Sequence, residues 1–129
     1  MTTFFEKSVG EVMTTNLLTI DIKQRVSEAV VMLNEHKVGI LLVTLKGKIF
    51  GMISETDIVR KVVAEGLIPE EVSIEKLVSR PPVSIAIETS ISEAYYAMAC
   101  WKVRHLLVTD KGKEVGLISV RDILYPRES

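Results

Sequence analysis

The sequence has few aromatic residues, a single cysteine and almost no net charge. Aromatic residues make up 5% of the 129 residues and hydrophobic residues 47%, so a core must be built mainly from aliphatic side chains. The lone cysteine, Cys100, excludes an internal disulfide and favours a reducing, cytoplasmic location. The net charge of −1 argues against nucleic acid as a partner, because phosphate contacts need a basic surface.

Long hydrophobic runs and familiar catalytic motifs are also missing. The longest apolar stretch, GILLVTL, is the size of a strand and falls far short of the roughly 18 residues that span a bilayer. The N-terminus has no basic region followed by an apolar stretch, so no signal peptide is visible and no membrane partner is expected. No Walker loop or GxGxxG occurs, and two histidines and one distant cysteine have no metal-ligand spacing. We expect Cys100, which is next to Trp101 on a predicted helix, to pack in a core.

What the sequence does contain is an internal repeat. GMISETDIV, which begins at Gly51, returns as GLISVRDIL, which begins at Gly116, 65 residues later. The same offset aligns residues 9–59 with 74–124 without a gap, and 19 of these 51 positions are identical. A register that holds over a whole unit indicates a tandem duplication.

Each repeat predicts the element order β-α-β-β-α. In the first repeat, a short helix over 8–13 precedes an extended segment at 18–22, and a helical face predicts a helix over Val26–His36. The apolar run GILLVTL predicts a strand covered on both faces, LKGKI a hairpin turn with a positive φ at Gly47, and IFGMI the returning strand. A last helix is predicted from Ser54 to about residue 65.

The duplication also predicts the domain organisation. We assign residues 8–65 to the first repeat, 66–72 to a linker and 73–125 to the second repeat. A unit of this size is too small to stabilise itself comfortably. We therefore expect an α/β (α+β) fold in which two tandem β-α-β-β-α units pack sheet to sheet about a pseudo-twofold axis.

The phrase SxxD, Ser54-x-x-Asp57 and Ser119-x-x-Asp122, permits two interpretations. Serine is a preferred N-cap, and an acid three residues later completes a capping box. A helix N-terminus at a strand end also suits an anion or nucleotide: the serine hydroxyl can bond a ribose or phosphate oxygen, and the carboxylate can accept from two ribose hydroxyls. Glycines at 51 and 116 fit a bulge or turn or the close approach of a ligand. Capping and binding are compatible.

Together, GxISxxDI and the hairpin KVRHLLVTDKGKEVGLIS resemble the cystathionine-β-synthase (CBS) domain. The resemblance covers residues 9–124 and implies one CBS pair, or Bateman module, as a stand-alone CBS domain protein. Many members bind AMP, ADP, ATP or S-adenosylmethionine in two related clefts between the repeats, and many form flat homodimers. The resemblance implies an adenine nucleotide as a regulatory ligand and no required cofactor.

Carried over position by position, the resemblance implies one main nucleotide-binding cleft. Ser119 and Asp122 would face ribose and phosphate, and Arg104 would reach the phosphates. Arg121 could add a second positive charge. The adenine side would be lined by Met13, Leu18, Val38, Gly39 and Ile40.

The resemblance also implies a second, weaker cleft. Its residues would be Ser54, Asp57, Val78, Val83, Val103 and His105. Thr56 and Gly39 stand where the second repeat has Arg121 and Arg104, and the family often reads adenine with the backbone of a segment that here contains Pro81 and Pro82. We expect this cleft to be weaker, empty or suited to a less charged adenosine ligand.

Three functions are weighed on these features. The first is a regulatory sensor that binds an adenosine-containing ligand and alters its association with an unidentified protein target. The second is an oligomerisation or interaction scaffold with empty clefts, since the helices after SxxD carry apolar stripes. An enzyme is the third and is not expected, because no acid-base or nucleophile set is indicated.

Overall fold

The computed structural model describes residues 3–79 and 82–126, which form two compact units. The first unit is Leu18–Pro82. The second unit combines the N-terminal segment up to Leu17 with the chain from Val83 onward. The boundaries of these units differ from those of the predicted repeats, 8–65 and 73–125. The repeat boundaries stay a prediction from the sequence.

The first unit has the predicted β-α-β-β-α order. Its elements are β1 (Thr19–Asp21), α1 (Val26–His36), β2 (Ile40–Leu45), β3 (Lys48–Ser54) and α2 (Glu55–Ile58). The fold class predicted from the sequence is confirmed, and α1 has the predicted bounds.

The second unit repeats this order. Its elements are β4 (Ser84–Ala86), α3 (Ile91–Trp101), β5 (His105–Asp110), β6 (Lys113–Ser119) and α4 (Val120–Leu124). Short 3₁₀ turns at Phe4–Glu6 and Val9–Glu11 belong to this unit, and turns at Pro69–Glu71 and Ile74–Lys76 belong to the first. The turn Val9–Glu11 lies within the region 8–13 that is predicted as a short helix. The predicted linker, 66–72, includes one of the second pair.

Each unit contains one three-stranded sheet with the same topology. The first strand pairs in parallel with the second, as in Thr19 opposite Leu42, and the second pairs antiparallel with the third. The second sheet has the matching pairs, with Ser84 opposite Leu107. A parallel pair needs a crossover, which α1 and α3 supply.

The hairpin of each unit turns at a lysine–glycine pair. Lys46 and Gly47 have φ values of 51° and 79°, and Lys111 and Gly112 have 53° and 80°. Positive φ at both central residues is typical of the type I′ turn, which suits the twist of a hairpin. The predicted positive φ at Gly47 is confirmed.

Two separate cores lie beneath these sheets. In the first unit α1, β2 and β3 contribute Ala29, Leu41 and Ile53, which are fully buried. In the second unit α3, β5 and β6 contribute Ala94, Leu106 and Ile118 at the matching positions. Because the repeats place the same residue classes at the same sites, each unit buries an aliphatic core of its own.

The chain crosses between units at both repeats. Val9 lies in the core of the second unit, and its backbone N–H donates to the Thr89 carbonyl oxygen at 2.8 Å. Its counterpart Ile74 lies in the core of the first unit, where its N–H donates to the Gln24 carbonyl oxygen at 3.0 Å. The segment before each repeat's first strand therefore completes the other repeat's unit.

The helix predicted from Ser54 to about residue 65 is not a continuous α-helix. After α2 the chain forms a π-helical segment, Val59–Val63, in which the Ala64 N–H donates to the Val59 carbonyl oxygen at 2.8 Å. The run contains three β-branched valines, which have low α-helix propensity. Val62, within this segment, is fully buried.

Candidate functional site

Ser54 and Asp57 form a capping box in the first unit. The backbone N–H of Ser54 donates to Oδ2 of Asp57 at 3.0 Å, and the backbone N–H of Asp57 donates to Oγ of Ser54 at 3.2 Å. The Ser54 hydroxyl also donates to Oδ2 at 3.0 Å. These bonds satisfy donors that the start of α2 would otherwise leave unpaired, so the capping interpretation is confirmed.

Ser119 and Asp122 repeat this geometry in the second unit. The N–H of Ser119 donates to Oδ2 of Asp122 at 2.8 Å, the Ser119 hydroxyl donates to the same oxygen at 3.1 Å, and the N–H of Asp122 donates to Oγ at 3.2 Å. None of these three bonds involves Oδ1 of Asp122. The carboxylate is thus held in a fixed orientation with one oxygen uncommitted to the cap.

A backbone hydrogen bond joins each helix start to the residue before the middle strand. The N–H of Glu55 donates to the Gly39 carbonyl oxygen at 3.0 Å, and the N–H of Val120 donates to the Arg104 carbonyl oxygen at 2.8 Å. We call the resulting groups the first corner and the second corner. The first corner is Val38, Gly39, Ile40, Ser54, Glu55, Thr56 and Asp57; the second corner is Val103, Arg104, His105, Ser119, Val120, Arg121 and Asp122.

Met13 lies against the second unit's hairpin. The neighbouring Thr14 exchanges two backbone hydrogen bonds with Leu117, of 2.8 and 2.9 Å. A β-carbon added to Gly116 would lie 2.5 Å from Met13 Sδ and 2.9 Å from the Thr14 carbonyl oxygen. The hypothesis that Gly116 leaves room for a ligand is therefore wrong, because Met13 and Thr14 fill that room.

Gly51 and Gly116 each lie beside a β-bulge. In the first unit Val43 pairs with Gly51 and the next residue, Thr44, pairs with Ile49, so Phe50 is the extra residue. The second hairpin has the same shift beside Gly116. The bulge interpretation of these glycines is confirmed.

Val78 occupies the position in the first unit that Met13 occupies in the second. The residue after it, Ser79, exchanges backbone hydrogen bonds of 2.9 and 3.0 Å with Met52. Leu18 and Val83 are likewise matched: each precedes a first strand, and each carbonyl oxygen accepts from a middle strand, from Leu42 and Leu107 respectively, at 2.9 Å. Pro81, one of the two prolines predicted to weaken the second cleft, lies outside the described residues.

The residues predicted for each cleft are divided between the units. For the main cleft, the second unit holds Met13, Arg104, Ser119, Arg121 and Asp122, and the first unit holds Leu18, Val38, Gly39 and Ile40. For the second cleft, the first unit holds Ser54, Asp57 and Val78, and the second unit holds Val83, Val103 and His105. Within a unit, the structure gathers members of both sets at one corner, and their grouping into two clefts stays a prediction.

The two corners carry opposite charge. The second corner has two guanidinium groups, on Arg104 and Arg121, against the one carboxylate of Asp122. The first corner has two carboxylates, Glu55 and Asp57, and the Lys61 ammonium lies 3.7 Å from Oδ1 of Asp57. The second corner is suited to a phosphate and the first corner is not.

Glu55 and Lys61 are the two residues that sequence reasoning missed. The i, i+4 spacing of Asp57 and Lys61 on one helix is a recognisable signal for an ion pair. The position of Glu55 over Gly39 carries no such local signal, because it depends on pairing between β2 and β3.

Cys100 does not pack in a core. Its thiol is free and exposed, and the adjacent Trp101 is 66% exposed, so the expectation of core packing is wrong. The pKa of the Tyr96 hydroxyl is raised above its usual 10.0. The larger cause is a hydrogen bond to Cys100, and the second is the charge on Cys100.

Among residues 3–79 and 82–126, no group of three or more His, Cys, Asp or Glu side chains is arranged to hold a metal ion. In the same part of the chain, no helix combines the length and apolar character needed to cross a membrane.

One known protein family matches both repeats of the chain. The sequence pattern of the family described as "CBS domain" matches residues 9–64 and again residues 74–126. The chain belongs to the CBS domain family. Tandem CBS domains are in general regulatory ligand-binding modules.

Relatives of the CBS chain include archaeal, bacterial and plant proteins. The chain is 33% identical over 119 residues to the uncharacterized protein MK0525 of Methanopyrus kandleri, covering 91% of this chain and 61% of that protein. It is 28% identical to the CBS domain-containing protein YhcV of Bacillus subtilis over 116 residues, covering 90% of this chain and 82% of that protein. Neither name denotes an enzyme.

A solved structure shares the fold. The uncharacterized conserved protein from Pyrococcus horikoshii has a TM-score of 0.87 and 27% identity, covering 97% of this chain and 96% of that one. The chain spans less than two thirds of the length of some curated relatives: 61% of the Methanopyrus protein and 23% of the Arabidopsis thaliana protein CBSCBSPB2.

Proposed function

We propose that this CBS pair is a cytoplasmic regulatory sensor that binds an adenosine-containing ligand, such as AMP, ADP, ATP or S-adenosylmethionine. The ligand would alter association of the chain with a second copy or with a protein target. The observation that carries the proposal is the Ser119–Asp122 box, which fixes a hydroxyl and a carboxylate beside two arginines. Membership of a family of regulatory ligand-binding modules supports it.

The chemistry of the second corner fits a nucleotide. An uncommitted carboxylate oxygen on Asp122 can accept from a ribose hydroxyl, and guanidinium groups pair with phosphate through fork-shaped hydrogen bonds. Arg104 and Arg121 are exposed, so a ligand phosphate can reach them from solvent. Met13, which packs against the second core, is the residue of this unit that would supply apolar surface for an adenine ring.

Regulation then follows from differential affinity. A ligand shifts an equilibrium only by as much as it prefers one state over the other, and any ligand that binds the native state raises Tm by mass action. The expected coupling is a change in oligomeric state or partner affinity when nucleotide is added.

The test is calorimetric titration of nucleotide-free protein with AMP, ATP and S-adenosylmethionine, beside Asp122→Ala and Asp57→Ala. We expect a tight nucleotide-binding event that Asp122→Ala removes and Asp57→Ala retains, so that only weaker binding at the first corner is left in Asp122→Ala. Circular dichroism and thermal melts of each variant control for folding. Absence of binding by every adenosine ligand to the folded wild-type chain would overturn the sensor proposal.

The second candidate is an oligomerisation scaffold, and exposed apolar side chains on the helices favour it. Val31 on α1 is 53% exposed, and Tyr96, its counterpart on α3, is 72% exposed. The match to the hexameric CBS-CP12 protein from bloom-forming cyanobacteria, with a TM-score of 0.86 and 30% identity, covers 92% of this chain and 70% of that one. That relative is described as a hexamer, and we propose that this chain forms at least a homodimer.

Light scattering during size-exclusion chromatography tests the scaffold. A single charged substitution on each helix, Val31→Glu and Tyr96→Glu, is expected to dissociate the dimer without unfolding it, because both side chains are exposed. Glu35→Lys, a change at another exposed side chain of α1, is the control. A monomeric wild-type chain at micromolar concentration would contradict the homodimer, and nucleotide binding by that monomer would leave the sensor standing.

A further inference from the structure

We propose that Glu55 determines the ligand specificity of the first corner, so that this corner disfavours phosphate-bearing adenosine ligands and favours neutral or sulfonium ones. The inference rests on the proposed function and extends it. It assigns ligand selectivity to Glu55, which lies between the serine and the aspartate of the SxxD phrase. It also gives the chain two corners with different ligand preferences.

The geometry of Glu55 places its charge at the corner. Its backbone N–H bonds the Gly39 carbonyl oxygen at 3.0 Å. A β-carbon built on Gly39 would lie 3.9 Å from Cδ and 4.0 Å from Oε2 of Glu55. The carboxylate therefore lies within van der Waals contact of the point where a side chain of residue 39 would begin.

The second unit has the opposite charge at the same two positions. Arg104 stands where the first unit has Gly39, and Val120 stands where it has Glu55, while the backbone hydrogen bond between them is retained at 2.8 Å. At this pair of positions the second unit carries a guanidinium and the first unit carries a carboxylate. The repeats thus keep one backbone geometry and reverse the charge that it presents.

Asp57 does not supply this negative charge in the same way. Its Oδ1 lies 3.7 Å from the Lys61 ammonium, and its Oδ2 is bonded within the capping box. Glu55 makes no ion pair among the described residues and is exposed. The uncompensated charge at the first corner is therefore that of Glu55.

An exposed carboxylate repels a phosphate group through a largely aqueous medium. The effect is modest for one phosphate charge, grows with the number of phosphates and weakens as salt rises. A neutral adenosine is not repelled, and the sulfonium of S-adenosylmethionine is attracted. Ligand charge is thus the variable that separates this role from a general structural one.

The experiment compares Glu55→Gln with wild type in an Asp122→Ala background, which leaves the first corner as the binding site. Adenosine, AMP, ATP and S-adenosylmethionine are titrated at low and high salt. We expect Glu55→Gln to tighten AMP about threefold and ATP about tenfold at low salt, with less effect at high salt. Adenosine affinity should stay unchanged and S-adenosylmethionine affinity should fall.

Two controls accompany this series. Glu70→Gln removes the same charge from an exposed turn of the first unit and should change no affinity. Val120→Glu in an Asp57→Ala background should weaken ATP at the second corner, whereas Val120→Gln, of the same size, should not. If the Asp122→Ala variant does not fold, Asp122→Asn is used in its place, because its side chain retains a capping acceptor.

The outcomes separate the two proposals. Equal changes for adenosine and ATP, or no change for either, would overturn the role of Glu55 while leaving the sensor intact. Binding by wild type with none in the folded Asp122→Ala chain would show that the first corner is no site, which also overturns it. No binding by wild type removes the proposed function and this inference together.

Discussion

The Met13 side chain fills the space directly over Gly116, where an added β-carbon would lie 2.5 Å from Sδ. The backbone carbonyl oxygen of Thr14 lies 2.9 Å from the same point and cannot rotate away. We expect Gly116→Ala to lower the free energy of unfolding by about 2 kcal/mol, as overpacked cores do. Urea denaturation measures the change.

Gly39→Ala is the matched control for this substitution. Its β-carbon would have its nearest neighbours at 3.9 Å, so only a small change in the free energy of unfolding is expected. The double variant Met13→Ala with Gly116→Ala should recover part of the loss but not all of it, because Thr14 remains. Equal stability of the two single alanine variants would refute the steric account.

The crossing of the N-terminal segment gives a second prediction. Val9 is fully buried in the second core, so Val9→Ala should reduce the free energy of unfolding by about 2 kcal/mol, from lost burial and the remaining cavity. Phe5→Ala, at a half-exposed side chain of the same segment, should change it by less than about 0.5 kcal/mol. Chemical denaturation followed by circular dichroism compares them, and equal effects would mean that the segment is not docked.

Loss of the caps gives a third prediction. Ser54→Ala and Ser119→Ala each remove an acceptor 3.2 Å from the aspartate N–H, so each should cost about 1 kcal/mol of stability. Ser92→Ala, on the exposed surface of α3, is the control. If Ser119 also binds ligand, the rise in Tm on adding nucleotide should shrink in Ser119→Ala; an unchanged rise would leave the serine with a capping role alone.

Tyr96 gives a fourth prediction, concerning pH. The Cys100 hydrogen bond raises the pKa of the Tyr96 hydroxyl above 10.0, so the folded state favours the protonated phenol. The stabilisation that protonated Tyr96 gives the folded state is present below the pKa that this tyrosine has in the unfolded chain. It is lost as pH rises through the pKa of Tyr96 in the folded chain. Phenolate absorbance, taken as the difference between wild type and Tyr96→Phe, should show this pKa fall toward 10.0 in Cys100→Ala. An unchanged titration would mean that the two side chains do not interact in solution.

Local pattern predicted the elements well. The bounds of α1 follow from its helical periodicity, and the hairpin turn at Gly47 follows from a glycine that can adopt a positive φ. Both features depend on neighbours in sequence. The same holds for the Ser119–Asp122 box, because a serine and an acid at this three-residue spacing predict a cap on their own.

Features that depend on distant residues were not predictable in this way. The position of Val9 in the second core needs a hydrogen bond to Thr89, 80 residues away in sequence. The occupant of the space over Gly116, Met13, is also distant in sequence. The carboxylate of Glu55 reaches Gly39 only because β2 and β3 pair. Alternation and spacing say nothing about which surfaces meet after folding.

The exchange of opening segments between the repeats has a consequence for synthesis. The residues around Val9 leave the ribosome well before the strands that they dock against, which follow Val83. The first unit can close once residues near Ile74 have emerged, while the segment around Val9 remains without its native neighbours. Such long separation in sequence slows folding, so the second unit should be the later one to form, and the segment around Val9 should stay open to a chaperone or a protease until then.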